Sequence, residues 1–317
     1  MQPDTSPSPR HPTGHPLSFG IWVPVATSWR NARDRLKHVE VLGYDSIWVV
    51  DHFANPFQPA FPWFEAWTTL AALAAVTDRI RLGTLVTNII YRNPALIAKQ
   101  AMTVDHISGG RLTVGIGAGS PDDPSHPMTG VEQWPNPERA ERLREIVEIL
   151  DLMLRSPVST FEGKYYRVAD AIMLPGPLQK PRPPILIGAH GRKMLELAAT
   201  RADTWNTLVG SRFSAREALE ATRRASEFVT ECAARAGRDP ASIVRSLCVG
   251  WTPDPLFDSL DSLVDFIGRY SEAGINEFIF GYWTEDDPPS EAPLSHISDD
   301  KMLERIAVDV VRKLKAA

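Results

Sequence analysis

The sequence is poor in cysteine, has no long apolar run and carries no excess of one charge, and each shortage removes a class of protein. Two cysteines, Cys232 and Cys248, occur in 317 residues, too few and too far apart for a disulfide framework or a zinc knuckle. The longest purely apolar run, Leu70–Val76, falls well short of the ~20 residues needed to cross a bilayer. Lys and Arg number 34 against 39 Asp and Glu, a net charge of −5, and no basic block stands out, so a nucleic-acid partner is not expected. With no H-E-x-x-H, no H-x-H and no paired cysteines, no metal site is expected either. A P-loop is also missing.

What is present supports a full core, since 43% of the residues are hydrophobic. Residues Met1–Pro16 hold five prolines and no apolar stretch, which reads as a flexible leader rather than a signal peptide. A soluble, cytoplasmic protein follows as the expectation. Thr284–Ser298 is acidic and proline-rich and reads as a surface loop.

Between these segments the pattern alternates. Short β-branched runs at Leu17–Val23, Ser46–Val50, Ile80–Thr87, Leu112–Gly117, Pro184–Gly188, Thr204–Leu208, Ile243–Gly250 and Glu277–Gly281 read as strands. Helical periods fall between and after them, at Ser28–Leu42, Glu65–Thr77, Pro94–Ile107, Pro137–Arg155, Arg192–Arg201, Ser214–Ala236, Asp258–Ala273 and Asp300–Lys315. Strands apolar on both faces, such as Ser46–Val50, suit a buried parallel sheet. Eight βα units predict an α/β fold, a closed (β/α)8 or TIM barrel, with an open doubly wound sheet as the rival. The interval from the fourth to the fifth strand is too long for one helix, so an insertion, a hairpin or excursion, is expected at about 156–183.

In a barrel, chemistry sits at the C-terminal ends of the strands. Asp51 and His52 follow the second strand, and an adjacent carboxylate and imidazole can poise a proton relay or bond a heteroaromatic ring. Leu85, Val86 and Asn88 close the third. Gly119 and Ser120 follow the fourth, in a G-x-G-x-G run from Gly115 that leaves room beside a planar ligand. Ser120 is not in a nucleophile elbow. Gly188, Ala189, His190, Gly191 and Arg192 join the fifth strand to a helix, a turn suited to an anion. Asp105–Arg111, with His106, reads as a structural helix end. The early aromatics Trp22, Phe61, Trp63, Phe64 and Trp67 either wall a pocket for a flat ligand or fill the core.

The combination resembles the bacterial luciferase-like flavin-dependent oxidoreductases, and more closely their deazaflavin-using branch. The residues that carry the resemblance are Gly43–His52, Glu65–Thr77, Ile80–Val86 with Arg92-Asn93-Pro94, Ser108–Leu112, Gly115–Gly119, Phe161-Glu162-Gly163, Pro183–Gly188 and Ala202–Asn206. The resemblance implies one TIM-barrel domain over residues 17–317 with a tricyclic ring over the strand ends. It also implies a non-prolyl cis peptide at Leu85–Val86, Asp51 and His52 on the ring and substrate side, and a phosphate at Gly191 and Arg192. The implied activity is hydride transfer between deazaflavin (coenzyme F-420) and a small organic substrate, with His52 as a proton donor. Alternatives are a reduced-FMN monooxygenase and a non-catalytic flavin-binding protein. A homodimer is common among relatives, and small-residue helix faces such as Leu70–Val76 permit one. The chain departs from the family in having Ser120-Pro121-Asp122-Asp123 where relatives have Trp followed by Glu-Tyr, in having no acid in Trp22–Ala26, and in having His190.

Overall fold

Buried parallel strands need apolar side chains on both faces, and the chain supplies eight such staves in sequence. The computed structural model describes residues 15–24, 28–120, 122–210, 212–285, 287 and 295–316. Nearly all of the expected leader, together with Val25, Ala26, Pro121 and Ser211, lies outside the described residues. The first half contains β1 (Ser18–Val23), α1 (Trp29–Leu42), β2 (Ser46–Val49), α2 (Ala66–Val76), β3 (Arg81–Thr84), β4 (Thr87–Asn88), α3 (Pro94–Ile107) and β5 (Leu112–Gly117). Then come α4 (His126–Thr129), α5 (Asn136–Arg155), β6 (Val158–Glu162), β7 (Arg167–Ile172), β8 (Ile185–Gly188), α6 (Arg192–Arg201) and β9 (Thr204–Thr207). The chain finishes with α7 (Ala215–Arg235), β10 (Val244–Cys248), α8 (Leu260–Glu272), β11 (Glu277–Gly281) and α9 (Asp300–Ile306), the last running on through a π turn and a short α10 (Arg312–Ala316).

The sheet runs β3-β2-β1-β11-β10-β9-β8-β5, and pairing of Leu82 with Leu112 and Gly83 with Thr113 joins its ends. The expected closed barrel is therefore present, and the open-sheet rival is excluded. The third predicted strand divides in two: β3 and β4 are separated by Leu85–Val86, whose peptide bond is cis as the resemblance implied. Beyond it Thr87 pairs with Ile116 of β5.

Alternation along each strand sorts the core into two layers. Phe19, Ile21, Ile47, Val49, Val114, Ile116, Phe278 and Phe280 face the helices in one large cluster. Trp22, Trp48, Leu186, Cys248, Ile279 and Trp283 form a second cluster inside the ring. Trp48 fits there because its neighbours are glycine: a Cβ on Gly83 would sit 2.4 Å from the indole. Gly43 and Gly274 end helices at φ of 88° and 99°, the left-handed geometry that their sequence positions predict.

The long interval between β5 and β8 contains the expected hairpin, β6 paired antiparallel with β7. Its turn is pinned by the Glu145 carboxylate, which accepts the N–H groups of Lys164, Tyr165 and Tyr166 at 2.8–3.0 Å. The structural reading of Asp105–Arg111 also agrees with the geometry. Arg111 donates to the carbonyls of Ala74, Thr77, Ile80 and Ser108, and His106 Nε2 lies 2.7 Å from the Gly176 carbonyl.

One expectation needs correcting. The segment Thr284–Ser298 is not wholly a surface loop, because Ile297 is buried and bridges Tyr282, and buried Asp287 pairs with Arg35 at 2.7 Å. In α2, Leu70, Leu73 and Ala74 are buried in this chain's own core, while Ala75 is exposed.

Candidate functional site

The C-terminal ends of the strands surround a cavity of about 1000 Å³, large enough for a cofactor head and a small substrate together. Its lining includes Asp51, His52, Leu85, Val86, Asn88, Gly119, Ser120, Gly188, His190, Gly191 and Arg192. The structure thus brings together candidates from four separate strand ends. Ala189 is the exception. Its side chain is buried in the outer core, its N–H donates to the Asn206 carbonyl at 3.0 Å and its carbonyl accepts Trp205 Nε1 at 3.1 Å. It holds the turn and lies outside the lining.

The Gly-rich run after β5 has a different reason from the one its spacing suggests. A Cβ on Gly115 would meet the Thr84 carbonyl, one on Gly117 would come within 2.5 Å of Val86, and one on Gly119 within 2.4 Å of Asn88 Oδ1. All three clear space for the chain's own turn between β3 and β4. That turn in turn presents Leu85, Val86 and Asn88 to the cavity, with Gly188 on its other side leaving Val86 in ordinary contact at 3.5 Å. Room for a flat ring over Val86 is a consequence of this fit.

Asp51 and His52 are neighbours in sequence but do not form a pair. Asp51 is buried, and both of its oxygens accept from the Arg92 guanidinium at 2.6 and 2.9 Å, while Asn88 N–H donates to Oδ2 at 3.0 Å. The carboxylate therefore ties the end of β2 to β4 and is committed to that clamp, which corrects its reading as a catalytic partner of His52. Arg92 also reaches Glu65 at 2.6 Å, and Glu65 caps α2 by accepting Trp67 and Thr68 N–H.

His52 pairs instead with Asp123, 71 residues away, at 2.8 Å through Nδ1. The Asp123 side chain has no exposed surface. Hydrogen bonds from His52 and from Ser125 N–H outweigh its burial and hold its pKa down at about 2. An ionised carboxylate can only accept, so Nδ1 carries the proton and Nε2 is left for whatever enters the cavity. Sequence reasoning noted Asp123 only as part of a departure from relatives. The available signal was a carboxylate pair just past a strand end.

Past the end of β8, α6 begins at Gly191 with no side-chain cap and no acidic residue in its first turn. Free N–H groups there favour an anion, and Arg192 and Lys193 line the same end. Arg192 is held over the Phe228 ring at 4.5 Å. His190 opens on the cavity and keeps exposed ring surface, with its Nδ1 3.3 Å from Thr207 Oγ1, and desolvation by the surrounding protein lowers its pKa. Cys248 lines the floor, but burial pushes its thiol up to about 12, so it is no nucleophile.

Further lining residues escaped the sequence reading: Phe57, Arg139, Asn206 and Trp251. Of the early aromatics, Trp22 and Trp63 line the cavity, whereas Trp67 is buried in the outer core.

Comparison with known proteins agrees with this architecture. The family described as luciferase-like monooxygenase matches residues 9–255. The phthiodiolone/phenolphthiodiolone dimycocerosates ketoreductase of Mycobacterium tuberculosis is 33% identical over 257 residues, 74% of this chain and 65% of that protein. The chain therefore spans just under two thirds of that relative's length. The 5,10-methylenetetrahydromethanopterin reductase of Archaeoglobus fulgidus is 29% identical over 288 residues, 84% of this chain and 80% of that one. The solved coenzyme F-420-dependent tetrahydromethanopterin reductase of Methanopyrus kandleri superposes with a TM-score of 0.75 at 21% identity, over 95% of this chain and 100% of that one, a likeness of fold.

Proposed function

The chain belongs to the luciferase-like monooxygenase family of oxidoreductases, and from that premise we propose that it transfers a hydride between coenzyme F-420 and the carbonyl or carbinol carbon of a small organic substrate. The observation that carries this reading is that His52, backed by buried Asp123, opens on the same cavity as the uncapped start of α6. A proton group and an anion site in one chamber are what a carbonyl reductase with a phosphorylated cofactor requires. The reductase names among the relatives support it.

The residues present fit such a cofactor. Val86, cleared by Gly117 and Gly188, offers a small apolar platform for a flat ring, and Gly191, Arg192 and Lys193 would hold a phosphate. When bound, the reduced deazaflavin supplies the hydride. The protein's own work is positioning and proton handling. Asp123 fixes the His52 ring, so that Nε2 can take a proton from a hydroxyl in oxidation or, from the imidazolium paired with the Asp123 carboxylate, deliver one to a carbonyl oxygen in reduction. Asp51 and Arg92 hold the backbone of the turn at Asn88 in place. Trp22, Phe57, Trp63 and Trp251 line the chamber and would displace water from a substrate bound against them.

Calorimetric titration of the purified chain with coenzyme F-420 and with FMN, separately, tests the reading. Tighter binding of coenzyme F-420 is expected. Binding of FMN alone would replace the proposal with a reduced-FMN monooxygenase, the chemistry in the family's name, and binding of neither would remove both.

A further inference from the structure

The two ends of the cavity differ in chemistry. In the ring of strands β1 stands directly across from β8, so Trp22 at the end of β1 faces the start of α6 across the barrel mouth. The end around β8 carries Arg192 and Lys193 at the start of α6. The end around β1, β2 and β10 is aromatic. Trp22 lies nearly parallel to Trp251, with ring centroids 6.4 Å apart and planes 13° apart. Phe57 is 6.2 Å from Trp251, and Trp63 meets the His52 ring edge-on at 6.2 Å.

No free cation stands at that aromatic end among the described residues. Arg92 is taken by Asp51 and Glu65, and Arg139 by the carbonyls of Gly119 and Trp134. A carboxylate or phosphate on the substrate would lose its hydration there and gain no partner. Phe57, Trp63 and Trp251 are each only partly buried, so they keep ring surface open to the chamber, and ring surface is best covered by another ring.

We propose that the substrate is an uncharged aryl ketone, or the matching secondary alcohol, whose ring lies on Trp251 and Phe57 while its oxygen meets His52 Nε2. Trp251 is then the residue that selects it. This rests on the reading of the site given above. In the reducing direction a hydride from the reduced coenzyme forms the new C–H bond at the carbonyl carbon. The C=O π pair moves to oxygen, which takes the Nε2 proton of the His52 imidazolium and leaves the neutral ring with its Nδ1 proton on Asp123. The ketone is reduced to the alcohol and the coenzyme is oxidised.

The test compares three probes: acetophenone, cyclohexyl methyl ketone, which has the same carbon count but no aromatic ring, and phenylpyruvate, which is aromatic but anionic. Dissociation constants are measured by calorimetry on the full chain with and without coenzyme F-420, alongside kcat/KM on the loaded enzyme. Acetophenone should bind about tenfold tighter than either rival, the worth of one or two good ring pairs. Trp251→Leu should erase the preference over cyclohexyl methyl ketone, keep that over phenylpyruvate and leave coenzyme affinity unchanged, and Trp251→Phe should keep most of both. Equal or weaker binding of acetophenone, no binding of it at all, or a preference over cyclohexyl methyl ketone that survives Trp251→Leu would overturn the proposal. Coenzyme binding is measured separately. A chain that ignores the coenzyme yet keeps the acetophenone preference would refute the cofactor reading alone, and one that binds the coenzyme without that preference would refute the substrate class alone.

Discussion

The contact that matters most at the residue scale is the 2.8 Å hydrogen bond between His52 and Asp123. Asp123→Asn keeps the shape but replaces an obligate acceptor with a group that can present either a donor or an acceptor to Nδ1, so the histidine loses its fixed tautomer. The expected result is a fall in kcat of about 10²-fold or more, with coenzyme affinity within a few-fold of wild type and an altered pH–rate profile. Equal losses in turnover and coenzyme affinity would mean a merely structural Asp123. His52 itself was legible in the sequence, because it sits at a strand end beside a carboxylate. Its true partner was not, because adjacency in the chain favoured Asp51, and nothing in a linear sequence shows that Arg92 and Asn88 occupy that carboxylate. Three glycines, Gly115, Gly117 and Gly119, were legible as a motif, but their reason lies in a neighbouring strand.

Elements were far easier to read than contacts. Leu112–Gly117, Glu277–Gly281, Pro94–Ile107 and Arg192–Arg201 have the same bounds in the sequence reading and in the structure, because caps, prolines and buried runs are local signals. The split of the third predicted strand into β3 and β4 was not local, since it depends on the turn that packs against β5. The element with the most direct functional consequence is α6. Its uncapped N-terminus and Arg192 act together on an anion, so Arg192→Ala should weaken coenzyme F-420 binding about tenfold, measured by calorimetry, while turnover at saturating coenzyme stays within a few-fold. A variant that binds normally would mean the phosphate rests elsewhere. Arg192 is solvent-exposed, so its truncation leaves the core intact, and a melting curve checks this.

At the scale of the whole molecule, the closed ring is stabilised by apolar side chains outside the strands and closed at its base by a polar floor. Glu277 is buried there in β11, and desolvation, with Asp45 adding to it, raises its carboxyl to about 7 against the partial relief given by Ser246 and Arg81. Because the folded-state pKa lies above the unfolded one, this group favours folding most below its ordinary pKa near 4.5 and loses that contribution as pH rises through about 7. Glu277→Gln should therefore leave the melting temperature little changed at pH 5 and raise it at pH 8, by the equivalent of about 1–3 kcal/mol. A gap that shrinks as pH rises would contradict the assignment. The barrel as a whole was legible because its alternating units have no other economical closure, whereas the floor's polarity was not, since Glu277 reads in sequence as the edge of a strand.

The same ring geometry sets an aromatic wall across from a cationic lip, and the account stands or falls on that division of the barrel mouth. A crystal structure of the chain with coenzyme F-420 bound tests it most directly. The tricyclic ring is expected over Val86 with its phosphate at Gly191–Lys193, leaving Trp251, Phe57 and His52 Nε2 uncovered. A ring lying on Trp251 and Phe57, or a phosphate away from α6, would contradict it.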